Sequence, residues 1–297
     1  MKLQHQLLAI LVACIWGTNF VFIRYALDEL ESFTFAALRF ALVAFPLIFI
    51  VPKPDTSWRN LCAYGVLIGS GQCGLLYWVM HDNITPGLAA LIIQIQVFFK
   101  VILAILLKGE MVAPRQALAL LISFSGLALM FLYTDGDTTP LGVAVVLVAA
   151  ASWACGNMVV KHAGAIDILP FLIWSSLFSI PPLALMAWYA NGIEGIVHDI
   201  SQASWVAWSV VLWQSLGNTL LGYGLWNMLL NRYSAATVTP WALLVPVFGM
   251  SASALLLAEP LLWWKLLAMA LIFSGLALNV VINRKRLQLE STQRGGR

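Results

Sequence analysis

Charge is scarce in this sequence. Only 10% of its 297 residues are Asp, Glu, Lys or Arg, while 61% are apolar, and mean hydropathy is +0.89. A soluble domain is nearer one quarter charged and one half apolar. A soluble core stops growing near this chain length and cannot hide so much apolar surface. Soluble enzymes, nucleic-acid binders and disordered chains are excluded on that ground. The same scarcity favours helices over a β-barrel, whose lumen would be polar. Cysteine is also sparse: Cys14, Cys62, Cys73 and Cys155 sit in apolar stretches without metal-ligand spacing and read as small apolar residues. A Gly-rich phosphate loop is missing, as is any nucleophile and base set at membrane depth. Neither ATP hydrolysis nor other catalysis is expected, and no cofactor.

What is present is a series of long apolar runs. A membrane-crossing helix needs roughly 20 apolar residues, so ten of them use about 200 and leave about 97 for loops and tails. Ten runs are legible: 5–27, 33–51, 58–80, 86–107, 115–133, 139–162, 167–190, 204–231, 234–257 and 262–283. The first is too long for a signal peptide and reads as a retained span. Pro86, Pro114, Pro140 and Pro170 stand at or near helix starts, where a missing N–H costs nothing. Pro46, Pro181, Pro182, Pro240 and Pro246 are expected to kink their helices.

Ten spans sort the charges. With the N-terminus inside, Lys2, Lys53, Arg59, Lys108, Arg115, Lys161, Arg232, Arg284, Lys285, Arg286, Arg294 and Arg297 all fall on the cytoplasmic side. Arg24 and Lys265 fall outside, and the acids, such as Asp28, Glu29, Asp82, Asp135 and Asp199, concentrate there. This bias predicts that both termini are cytoplasmic. The expected fold is an all-α integral membrane protein of ten transmembrane helices.

The two halves repeat each other. Phe124-Ser125-Gly126-Leu127-Ala128-Leu129 recurs as Phe273-Ser274-Gly275-Leu276-Ala277-Leu278, and Glu110 matches Glu259 at the same offset. Trp16 and Arg24 match Trp153 and Lys161, and Trp78 matches Trp226. Five spans per repeat is an odd number, so the second half enters the membrane inverted. Residues 5–133 and 139–283 are the expected five-helix repeats, with 284–297 a basic tail. A 5+5 inverted repeat is the pattern of a secondary transporter whose substrate sits between the halves.

These residues resemble a known family. The ten-span plan, with Trp16-Gly17-Thr18-Asn19-Phe20, Leu38-Arg39-Phe40, Ala151-Ser152-Trp153-Ala154-Cys155-Gly156-Asn157 and Leu244-Val245-Pro246-Val247-Phe248-Gly249, resembles the EamA subgroup of the drug/metabolite transporter superfamily. The Trp153–Asn157 run and Gln94-x-Gln96-x-Phe98-Phe99 are most like the bacterial exporters of cysteine and O-acetylserine. The resemblance implies export of small zwitterionic metabolites across the bacterial inner membrane. Other solutes (aromatic amino acids, nucleobases, drugs) are alternatives, as are a lipid-headgroup flippase and a non-transporting membrane partner.

Polar residues at membrane depth are the candidate lining, because each needs a partner or a wet cavity. Trp16 and Asn19 are spaced i,i+3, and Trp153 and Asn157 i,i+4, at related places in the repeat; they could face each other. Gln214, Asn218, Gly222 and Trp226 form a stripe at steps of four, which could instead be an interhelical hydrogen-bond seam. Gln72 lies beside Gly65-x-x-x-Gly69, a spacing that fits close helix packing, and Trp241 follows Pro240. Of Gln94 and Gln96, at most one faces the centre, and Gln96 shares its face with Lys100. Lys100 either snorkels or meets a substrate carboxylate. Arg39 lies about 9 Å inside its helix; it either ties spans through carbonyls or an acid such as Glu31, or attracts an anionic group. Pro240 and Pro246 mark a helix suited to bending during gating. The Ser-Gly pairs of spans five and ten pack helices or form a homodimer seam. No span contains Asp or Glu, so a central proton relay is not expected. The expected partners are a small-molecule substrate and the lipid bilayer, with no nucleic acid.

Overall fold

The computed structural model describes the chain except residues 109–113, 134–136, 165, 234 and 296–297; side chains at 104–105, 107–108, 235–236, 239 and 283–295 are also left out. Among the described residues there is no strand. Ten helical segments follow one another: α1 Leu3–Leu27, α2 Ser32–Ala44, α3 Trp58–Asp82, α4 86–108, α5 Pro114–Leu132, α6 Pro140–Ala163, α7 Ile168–Gln202, α8 205–232, α9 235–256 and α10 Trp263–Gly295. Glu31, Ser57, Thr139, Asp167 and Ser204 cap α2, α3, α6, α7 and α8 by accepting from backbone N–H groups of the first turn. Pro86 and Pro140 open α4 and α6 in their first turns.

Eight segments are long and apolar enough to cross a membrane among the described residues. In α8 the run Gln214-Ser215 and Asn218-Thr219 dilutes the apolar face. In α9 a shorter apolar helix is described over Pro240–Leu256. Large apolar side chains such as Leu132, Tyr189, Trp205 and Leu255 cover the outer surface, as lipid-facing residues do. The protein is an all-α, multi-pass membrane protein.

The packing is two-fold in its pattern. Helix α1 packs on α9 as α6 packs on α4; α1 packs on α8 as α6 packs on α3; α2 packs on α8 as α7 packs on α3. Helices α2 with α7, α4 with α9 and α5 with α10 also pair across the exchange. Gly126 meets Ala268 and Ile272 of α10, and Gly275 meets Ser123 of α5, whose hydroxyl donates to the Ile272 carbonyl at 3.3 Å. The neighbouring Ser125 and Ser274 are exposed, so these Ser-Gly pairs join α5 to α10 within the chain. Gly65 and Gly69 let α3 approach Ser175 and Ser179 of α7 closely.

Both repeats carry the same two departures from α geometry. A π-helical stretch interrupts α3 at Leu67–Gly74 and α8 at Trp213–Leu221. A 3₁₀ stretch interrupts α4 at Ile93–Ile95 and α9 at Thr239–Leu243. Pro240 is the second residue of the second 3₁₀ stretch, and Pro246 lies in the α-helix after it. Pro181 and Pro182 do not break α7; its backbone leaves helical geometry at Gly192, with φ 68°.

The ends of the bundle differ chemically. At one end Glu31 N–H donates to Asp199, Ser204 bonds Glu29, and Thr139 bonds Asn83. A cavity of about 420 Å³ lies there, lined by Asp28, Glu29, Glu31, Asp82 and Asp199 among others. At the other end His5 and the Lys2 backbone meet the Tyr233 hydroxyl.

Candidate functional site

The two π stretches converge on one side chain. Arg39, on α2, is 7% exposed. Its Nη1 donates to the Tyr77 hydroxyl of α3 and lies 3.6 Å from Cys73 Sγ, which the π stretch of α3 presents. Its Nη2 donates to Thr219 Oγ1 at 3.0 Å, in the π stretch of α8. That register also lets Thr219 donate to the Gln214 carbonyl, five residues back, at 2.8 Å. Ser215, in the same stretch, donates to the Arg39 carbonyl at 3.0 Å. A π turn widens the helix by one residue and re-aims side chains, which is why such stretches gather at functional sites. The tie expected through carbonyls or Glu31 is not what forms: Glu31 caps α2 instead, accepting from Phe33 and Thr34.

Next to Arg39 lies the stripe of α8. Gln214 and Asn218 are buried and bonded to each other, Asn218 Nδ2 to Gln214 Oε1 at 3.3 Å. This uses half of each amide. Gln214 Nε2, Asn218 Oδ1 and, on the adjoining α1, Asn19 Oδ1 are buried without a partner. Trp16 Nε1 donates to the Asn218 carbonyl at 3.4 Å. Gly222 makes room for that indole: a Cβ there would stand 2.6 Å from Trp16 Nε1. Trp16 also packs on Tyr223 and Trp226, with ring centroids 5.3 and 5.2 Å apart.

The 3₁₀ stretches also meet. Gln94 donates to the Ala242 carbonyl of α9 at 3.3 Å, while Gln96 is buried with Oε1 unpartnered.

The other candidates lie apart. Asn157 donates to the Trp153 carbonyl one turn back at 2.9 Å, and α6 packs on α3 and α4 rather than on α1. The structure therefore does not bring Trp153 and Asn157 against Trp16 and Asn19. Trp241 and Trp226 share a small apolar cluster with Met1, Leu8 and Leu229, at the N-terminal end. Gln72 and Lys100 are half-buried. The candidate residues do not line the acidic cavity described above.

A second polar cluster went unread in the sequence. Glu259 accepts from Thr85 Oγ1, Ser253 Oγ, the Gly87 N–H at 3.2 Å and Lys265 Nζ at 3.3 Å. Both charges are buried, Lys265 completely, although the sequence placed Lys265 at the outer end of the tenth run and Glu259 between runs. The carboxylate sits on the N-terminus of α4, where unpaired N–H groups and the helix dipole favour it. The signal was the offset shared with Glu110, which lies outside the described residues.

The two-fold packing of five helices on five, with polar groups held between the halves, defines a membrane transporter. The chain matches the model of the EamA-like transporter family twice, over residues 4–132 and 140–281, and belongs to that family. Two curated relatives named "Probable amino-acid metabolite efflux pump" are 33% identical in Escherichia coli (strain K12) and 34% identical in Salmonella typhimurium (strain LT2). Each alignment covers 94% of this chain and 96% of the relative. A "Probable terminal-alkyne amino-acid exporter" of Streptantibioticus cattleyicolor is 25% identical over 97% of this chain and 96% of its own. A solved structure, described only as "Crystal structure of protein", superposes with a TM-score of 0.61 at 15% identity, over 96% of this chain and 98% of the other; it supports the fold alone. The protein is a transporter, not an enzyme.

Proposed function

We propose that this transporter exports small zwitterionic metabolites, amino acids such as cysteine or O-acetylserine, across the bacterial inner membrane by alternating access. One observation carries the reading: Asn19, Gln214 and Asn218 keep buried amide atoms without partners on two adjoining helices. Leaving such atoms unpaired costs about 1–3 kcal/mol each. A solute bearing both donors and acceptors would satisfy them. The named efflux pumps and exporter among the relatives support this class of solute.

The two matched segments are read as five-helix repeats of opposite orientation. The acidic end faces outward and both termini inward, because basic residues cluster at the other end. Movement centres on the 3₁₀ stretches of α4 and α9, joined by Gln94 and Ala242. Pro240 and Pro246 are read as shaping that bend.

Export from cells tests the lining. Bacteria overproducing the protein and fed a cysteine-containing dipeptide should release more cysteine to the medium than controls. Asn218→Leu and Asn19→Leu should each abolish the increment at unchanged membrane abundance. Normal export by both variants would overturn the proposed lining.

A further inference from the structure

Among the described residues two cations are buried, Arg39 and Lys265. Burying a charge in a membrane protein is costly unless it is compensated. Lys265 has Glu259 as its counter-ion at 3.3 Å. Arg39 has none: its partners are a phenol, a thiol and a hydroxyl, all neutral. Arginine cannot shed its proton to escape the cost. A purely structural tie would also use every N–H, yet Arg39 Nε is buried and bonded to nothing. The side-on fork of a guanidinium, Nε with a neighbouring Nη, is the shape that receives a carboxylate through two parallel bonds.

We propose that Arg39 is the dock for the substrate's carboxylate, the missing counter-ion of this buried charge. The assignment rests on the transport reading above and adds the chemical group that selects the solute. The ammonium end has acceptors close by in the chain. Thr219 holds Arg39, and the preceding residue, Asn218, carries an unpartnered Oδ1. Tyr223, four residues on from Thr219, packs on Trp16 with ring centroids 5.3 Å apart. Among the described residues the second half offers no buried arginine. At the same distance from its helix start, α7 carries Ser175, whose hydroxyl bonds its own helix at the Leu172 carbonyl. The carboxylate therefore has one place to go, and the zwitterion is held in one direction.

Proteoliposomes carrying the wild type test this with labelled cysteine, competed by unlabelled cysteine, cysteine methyl ester or cysteamine. The ester and cysteamine lack the free carboxylate. Charged hydrogen bonds of this kind correspond to about 10- to 100-fold in affinity. The expected result is that the ester and cysteamine compete at least about 10-fold more weakly than cysteine. Arg39→Gln should erase that difference by weakening cysteine while leaving the ester unchanged, and Arg39→Lys should restore part of it. Equal competition by acid and ester in the wild type would overturn the dock and leave the carrier intact; this arm needs no variant to fold. Wild-type selectivity in a monodisperse Arg39→Gln protein would assign Arg39 to structure alone. No saturable uptake of cysteine by the wild type would overturn both the dock and the function it rests on.

Discussion

Single side chains carry the chemistry here, and they were unequally visible. Arg39 stood out in the sequence as a cation inside an apolar run, but its partners could not be inferred. Tyr77 and Thr219 are 38 and 180 residues away, and the π stretches that present Cys73 and Thr219 to it leave no periodic trace. Gln214 and Asn218 were readable because steps of four on a helix share a face. Trp153 and Asn157 were grouped with Trp16 and Asn19 by symmetry, yet the packing keeps the two pairs apart. Glu259 looked like a loop charge, and Lys265 like a charge at the outer end of its run, because hydropathy cannot see a loop folded back onto a helix start. Their cluster yields a stability prediction. Glu259→Ala strips four donors of their acceptor and leaves Lys265 without this partner, a loss of about 3–5 kcal/mol for a buried pair. Its melting temperature in detergent should fall well below wild type. An unchanged melting curve would show that the cluster contributes nothing net.

Elements were legible in number and order, less so in kind. Apolar runs and prolines located all ten segments, and the Gly126 and Gly275 motifs fell where α5 and α10 touch. The π and 3₁₀ stretches were not foreseen, since only hydrogen-bond register distinguishes them from α-helix. Their pairing across the repeats ties geometry to mechanism. Thr219→Val keeps the shape of the π stretch but removes the oxygen that accepts from Arg39 Nη2. Cysteine affinity should fall several-fold, as the loss of one charged hydrogen bond implies, with little change in melting temperature. Gly275→Leu acts elsewhere. Its side chain has no space against Ser123 and Ala119, so α5 and α10 should separate and thermal stability should drop. A Gly275→Leu protein as stable as wild type would contradict the close approach of these helices.

At the scale of the molecule, the internal repeat decided the architecture, and the charge bias decided its proposed direction. The packing pattern respects the exchange of α1–α5 with α6–α10. Direction can be checked in a cysteine-free background. A membrane-impermeant maleimide should label Asn191→Cys in intact cells and Thr56→Cys only after permeabilisation. The reverse pattern would turn the transporter over. Energetics follow from the absence of a carboxylate among the described residues near Arg39. The proposed function therefore has export run down the solute's own gradient. The direct measurement is uptake of labelled cysteine and O-acetylserine by proteoliposomes, with and without a pH gradient. The account predicts saturable uptake without any gradient; uptake that appears only when a pH gradient is imposed, or none at all from folded protein, would contradict it.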